Sequence, residues 1–160
     1  MIVLAVALGG AAPSAPLAPP FQLALLGGGT ISDRDVSGRL VILNFWAPWC
    51  GPCKRELGDL DAFAARYSAK RVAVFAIDAD AKPDLRLIAR QAAAMRIPVA
   101  LAVEQGADTY HPIRSAVPTT FVINPAGRLI LTRAGVLSSD DLDRITAALG
   151  PVVTATRTER

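Results

Sequence analysis

Two side chains in this 160-residue sequence stand out for thiol chemistry at neutral pH, Cys50 and Cys53, its only cysteines. They lie in Trp46-Ala47-Pro48-Trp49-Cys50-Gly51-Pro52-Cys53-Lys54, at the head of a segment whose apolar residues recur at helical spacing. One helical turn sets two such Cα atoms ~5 Å apart, inside the window a disulfide requires. A dithiol that closes and reopens is the chemistry this predicts. Cys50 falls at the helix start, where free amides and the helix dipole favour its thiolate, and Lys54 adds a cation close by. Each pKa unit of depression represents ~1.4 kcal/mol of preference for the charged form. Pro52 is tolerated because the first turn has no amide partner to lose, and Gly51 lets another backbone approach closely. Cys50, expected open to solvent and anionic, then attacks a substrate disulfide, and Cys53 displaces the product from the mixed disulfide.

Other uses of the pair fit less well. As a static staple, a loop of four residues gains only ~2 kcal/mol. With His111 as the single histidine, two cysteines cannot complete a four-ligand zinc site, so no metal and no cofactor is expected. Soft Cu(I) held by two thiolates, for delivery, is the alternative function, weakened by the lack of nearby Met or His.

The elements that must position the pair lie on either side of it. Leu40 to Trp46 is a continuous apolar run, the pattern of a strand covered on both faces. Cys50 to Ser68 is an amphipathic helix with Cys53, Leu57, Leu60, Ala64 and Tyr67 inward and Arg55, Glu56, Asp59 and Arg66 on the opposite face. Val72 to Ile77 is a second buried strand. Asp84 to Arg96 is a helix with Leu85, Ile88, Ala92 and Met95 inward, and Val99 to Val103 a third core strand. Phe21 to Leu25 and Thr30-Ile31 form an N-terminal hairpin across Gly27-Gly28-Gly29. Thr119 to Asn124 and Arg128 to Thr132 form a closing hairpin across Asn124-Pro125-Ala126-Gly127. Ser139, Asp140 and Asp141 start a last helix, stopped by Gly150-Pro151. This order predicts an α/β fold, a mixed sheet sandwiched between helices.

The length fits one domain able to bury ~70 % of its unfolded surface, without staples or metal. Hydrophobic residues make up 52 % and charged residues 19 %, which excludes a disordered chain. The net charge of +3 is scattered, with only Lys54-Arg55 and Lys70-Arg71 adjacent, so no nucleic-acid partner is expected. No charged side chain precedes Asp33. Ile2 to Leu8 is apolar and is followed by small residues and prolines, the layout of a secretory signal. It is shorter than the ~20 residues of a membrane span. No Lys or Arg stands ahead of it and no A-x-A site stands out. Residues 1–18 therefore read as a signal peptide, a short membrane-associated anchor or an Ala/Pro-rich tail. Residues 19–150 read as the folded domain and 151–160 as a flexible tail.

The segment Trp46 to Lys54 resembles the active-site segment of the thioredoxin superfamily, with the same Cys-Gly-Pro-Cys core. Val117-Pro118-Thr119-Thr120-Phe121-Val122-Ile123-Asn124 is similar to the strand that carries that superfamily's cis-proline opposite the cysteines. Read from the residues alone, Pro118 is equally a trans edge proline; the resemblance implies cis. It also implies that Val117, Pro118 and Thr119 form a substrate-binding edge, with Val117 backbone pairing to an extended segment beside Cys50. Several features resemble the TlpA/ResA/DsbE-like branch of exported thiol–disulfide oxidoreductases. They are Asn44 where thioredoxins carry a buried Asp, the run Asn44-Phe45-Trp46-Ala47, Pro20-Phe21 with the hairpin, and the helix and strand inserted over Asp80 to Val103. The turn Asn124-Pro125-Ala126-Gly127-Arg128 is also similar.

That resemblance implies reduction of protein disulfides outside the cytoplasm. It also implies an upstream thiol reductant, a monomer, and apoproteins of cytochrome c maturation among the partners. Peroxidase chemistry is disfavoured, Thr119-Thr120 being followed by no cysteine. Cys53, a turn deeper, needs a base. Asn44 cannot titrate, so Asp78 and Asp80, in the turn after the second core strand, are the candidates for a proton relay, with solvated helix-capping as their alternative role. Trp46 reads as wall packing, Trp49 as an apolar platform for partner peptides, and His111 as a surface loop residue.

Overall fold

The two unbroken apolar runs become adjacent strands in a seven-stranded mixed sheet. In chain order the elements are β1 (Gln22–Leu25), β2 (Thr30–Ser32), β3 (Leu40–Trp46), α1 (Gly51–Ala65), β4 (Val72–Asp78), α2 (Leu85–Ala92), β5 (Val99–Gln105), β6 (Thr119–Ile123), β7 (Leu129–Ala134) and α3 (Ser139–Ala148). The computed structural model describes residues 15–113 and 116–149, so the readings of residues 1–14 and of the tail from Gly150 onward fall outside it. Strand order is β2-β1-β5-β4-β3-β6-β7. β3 pairs with β4 in parallel from Leu40↔Val72 to Trp46↔Asp78, and β4 with β5 likewise. β6 is antiparallel to β3, β7 to β6, β1 to β5 and β2 to β1. The α/β architecture, the N-terminal hairpin and the α2–β5 insertion are all as the sequence implies.

Side-chain alternation divides the core into two layers. Leu40, Ile42 and Trp46 of β3 and Val72, Val74 and Ala76 of β4 face the helices through residues such as Leu57, Leu60, Ile88 and Ile145. Val41, Leu43, Phe45 and Phe75 face the other way, against Phe21, Val36 and Tyr110. All three helices therefore share one face, where the sequence pattern implied helices on both. Aromatic packing from irregular segments closes the second face. Tyr110 meets Phe21 and Phe121 edge-on, at centroid distances of 5.9 and 5.4 Å, and its hydroxyl donates to the Pro19 carbonyl at 2.7 Å. Gly106 permits this closure: at φ +88° a Cβ would lie 2.6 Å from the Pro20 carbonyl oxygen.

Four further expectations need correction. The second helix stops at Ala92 rather than Arg96, and Leu85, expected inward, is 52 % exposed. It stands at the first helical position, ahead of the turn that packs on the core at Ile88, while the Asp84 carboxylate caps the Arg86 and Leu87 amides. The last helix is capped by Ser138, one residue before the expected Ser139, in a reciprocal box with Asp141. Glu56, expected on the solvated face of α1, is buried.

Candidate active site

β3 ends at Trp46, the chain turns through Ala47-Pro48-Trp49, and Cys50 becomes the N-cap of α1 with extended backbone, Pro52 lying in the first turn. Cys50 and Cys53 are joined in a disulfide with their Cα atoms 5.3 Å apart. The Cys53 amide donates to Cys50 Sγ at 3.2 Å. A sulfur at this position accepts one of the unpaired N–H groups of the helix end, which favours negative charge there once the disulfide opens. Cys50 is 5 % exposed and Cys53 0 %, so the outer sulfur, expected open to solvent, is nearly covered in this oxidised form. The cover includes Val117, whose carbonyl oxygen lies 3.8 Å from Cys50 Sγ. The Val117–Pro118 peptide bond is cis, as the resemblance implies, and the Gly135 amide holds the Pro118 carbonyl at 2.8 Å.

The other expected residues divide. Trp46 is fully buried beneath the site as wall packing. Trp49 is 69 % exposed and its indole N–H donates to Asp80 at 3.0 Å. With Ala79, His111, Pro112 and Val117, these two line an open cleft of about 300 Å³ beside Cys50. Thr119 does not face that cleft. It is fully buried, its hydroxyl donating to the Ala116 carbonyl and accepting from the Ile113 amide, so it braces the segment ahead of Pro118. Lys54 is exposed along a groove between α1 and α2 with Leu57, Arg90 and Gln91. At Gly51 a Cβ would meet only Arg55 Nη1 at 4.0 Å. Among the described residues no other part of the chain needs that glycine, and the space beside it is open to a partner.

The residue that sequence reasoning missed is Glu56. It lies one turn after Cys53 on α1, where i,i+3 neighbours have Cβ atoms about 5–6 Å apart. Only 3 % of it is exposed. Its two oxygens accept from the Leu137 amide at 2.6 Å and from Asn44 Nδ2 at 2.7 Å, and Asn44 also donates to Thr120 Oγ1 at 2.8 Å. Burial pushes its carboxyl above the usual range, against the lowering from those two donors. Asn44, which cannot titrate, thus holds in place a carboxyl that can.

Asp78 and Asp80 have different surroundings. The Asp80 carboxylate is half-buried and tethers Trp49. Asp78 is 5 % exposed, paired laterally with Trp46, and neither of its oxygens meets a protein hydrogen-bond partner. Burial first, and then the charge of Asp80, push its carboxyl up to about 6, against a lowering from the Asp80 and Ala79 amides, which lie near it without the geometry of a formed hydrogen bond. Among the described residues, no three or more His, Cys, Asp or Glu side chains gather as a metal site, and no helix is long and apolar enough to cross a membrane.

Comparison with known proteins agrees with this geometry. The AhpC/TSA family profile matches residues 16–131. The thiol-disulfide oxidoreductase ResA of Bacillus thuringiensis subsp. konkukian (strain 97-27) is 31 % identical over 139 residues, covering 84 % of this chain and 77 % of that protein. Among solved structures, a Chlorobium tepidum protein assigned as the thiol:disulfide interchange protein DsbE is 31 % identical, with a TM-score of 0.69 over 85 % of this chain and 97 % of that one. StoA of Bacillus subtilis is 26 % identical, with a TM-score of 0.61 over 84 % of this chain and 99 % of that one.

Proposed function

The chain belongs to the AhpC/TSA family and is a thiol–disulfide oxidoreductase; from that premise we propose that Cys50 and Cys53 reduce disulfides of proteins outside the cytoplasm. The observation that carries the reading is the Cys50 sulfur held at the α1 N-cap, between the Cys53 amide and the Val117 carbonyl. In the reduced protein that amide and the helix dipole stabilise the Cys50 thiolate. An extended substrate segment pairs with the backbone at Val117 and leans on Trp49, and Cys50 attacks its disulfide. Cys53 gives its proton to Glu56, attacks Cys50 Sγ and releases the substrate thiolate. Glu56 suits this step because its buried carboxyl binds a proton more tightly than an exposed one. A thiol reductant then reopens the Cys50–Cys53 disulfide.

Export is supported by the apolar Ile2 to Leu8 run and the small residues after it. Apoproteins of cytochrome c maturation are the substrate class that the ResA- and DsbE-like resemblance suggests. The reading is tested by insulin reduction and turnover of a dithiol reagent, with Cu(I) titration of the reduced protein run alongside. Cys50→Ser should abolish turnover, and Cys53→Ser should stop after one attack with the substrate trapped on Cys50. Turnover by Cys50→Ser, or Cu(I) binding without any turnover, would contradict it.

A further inference from the structure

Glu56 poses a problem of proton transport. Both its oxygens are engaged and the residue is 3 % exposed, so a proton taken from Cys53 has no direct way to bulk water. Five buried side-chain atoms among the described residues have no protein partner: Asn44 Oδ1, Trp46 Nε1, both oxygens of Asp78, and Gln91 Oε1. They share one layer. Asn44 and Trp46 stand two apart on β3, and Trp46 pairs laterally with Asp78 on β4. The even-numbered positions of both strands face the helices. Gln91 reaches the same layer from α2, its Nε2 donating to the Pro48 carbonyl at 3.2 Å, in the loop just ahead of Cys50. Trp46 Nε1 can only donate, and the other four atoms accept. Buried polar atoms are nearly always paired, and a mixed set of one donor and four acceptors is the kind that water, which both donates and accepts, can satisfy.

We propose that Asp78 is the proton exit of the dithiol, joined to Glu56 and Asn44 through internal water along this layer and opening to solvent at the Trp49–Asp80–His111 cleft. The inference rests on the roles given above to Cys50, Cys53 and Glu56. In the release step the Cys53 thiol proton passes to Glu56, and the sulfur electron pair forms the bond to Cys50. The bond between Cys50 and the substrate sulfur breaks, its electron pair leaving with the substrate. The proton moves from Glu56 through water to Asp78 and from there to bulk water; no further oxidant or reductant is consumed. Asp78 is suited to this because it gains and loses a proton near neutrality. The charged group that acts on it is Asp80 on its own loop; on β3 Trp46 pairs with it laterally and Asn44 stands two residues earlier on the same face, while Gln91 of α2 reaches the Pro48 carbonyl in the loop that follows Trp46.

The test is single-turnover reaction of the reduced full chain with a fluorogenic peptide disulfide from pH 5 to 8, for wild type, Asp78→Asn and Asp78→Glu. Asp78→Asn should slow release about tenfold above pH 6 and flatten its rise with pH. Asp78→Glu should restore release to within about twofold, since it keeps a titratable carboxyl. Alkylation of Cys50 by iodoacetamide should be equal in all three. A wild-type profile in Asp78→Asn, or equal slowing in both variants, overturns the relay and leaves the dithiol reading standing. A wild type that turns over no disulfide overturns both. A proton inventory of wild-type release in H2O/D2O mixtures needs no variant: several protons in flight bend it, and a straight line overturns the relay.

Discussion

For the Glu56 carboxyl, desolvation raises the pKa and the Leu137 and Asn44 donors lower it, and burial prevails. The folded protein therefore holds this proton more tightly than the unfolded chain does. The stability this group contributes is fully present below the unfolded value near 4.5 and declines as pH rises through the higher folded value. Glu56→Gln cannot ionise, yet it keeps an acceptor for the Leu137 amide, and Asn44 has a free Oδ1 for the new amide. We expect Glu56→Gln to slow release about 10²-fold, so that the Cys50 mixed disulfide accumulates in quenched samples. Thermal unfolding at pH 4.5 and 7.5 should show a smaller loss on raising the pH than in wild type. Normal release in this variant would exclude Glu56 as the base. The cysteines were legible because two thiols at CxxC spacing have few other uses. Glu56 was not, because a charged residue at the border of an apolar stripe reads as solvated. At 100° per residue it lies ~60° from Cys53, nearer the buried stripe than the opposite face. The neutral Asn44 was the available signal: with no acid at that place on β3, every nearby carboxyl, including one on the helix itself, was a candidate.

At the scale of elements, α3 shows how one side chain fixes a helix start beside the site. Asp141 accepts from the Ser138 amide and hydroxyl, and the Arg133 guanidinium of β7 grips it with two bonds of 2.7 and 2.8 Å. That guanidinium holds the Asp141 carboxyl well below the usual carboxylate range. A depressed carboxyl contributes stability above its unfolded value near 3.8 that is lost as pH falls below it. Asp141→Ala removes both cap and clasp and should cost about 1–3 kcal/mol at pH 7 in urea unfolding. The cost should shrink towards pH 3; a constant cost would mean that packing, not charge, is what Asp141 supplies. Because Leu137, just ahead of this cap, donates its amide to Glu56, the variant should also slow release. Strands were the most legible elements: β3 reads as seven buried residues in a row and is that. Helix ends were less so, since Ser138 and Ser139 are the same residue type and only the reciprocal bonds with Asp141 choose between them. The face that carries none of α1, α2 and α3 was least legible, because Tyr110 and Phe21 close it from segments without periodicity.

Taken whole, the molecule has to stay folded whether its disulfide is open or closed, since each turnover passes through both states. Its two core layers are built from β3 and β4 outward, one towards the helices and one towards Tyr110 and Phe21, and the disulfide lies within the first turn of a single helix. It ties no two elements together. A covalent loop of four residues restricts the unfolded chain by only ~2 kcal/mol. For a protein of this size each kcal/mol moves Tm by about 2–4 °C. Reduction should therefore lower Tm by roughly 4–8 °C and leave a single cooperative transition, measured by calorimetry with and without a phosphine reductant. A larger fall, or a broadened transition, would mean that the Cys50–Cys53 bond holds the site loop on the core. The reduced enzyme would then be a partly unfolded species, unable to keep Val117 and Glu56 where the exchange reaction needs them.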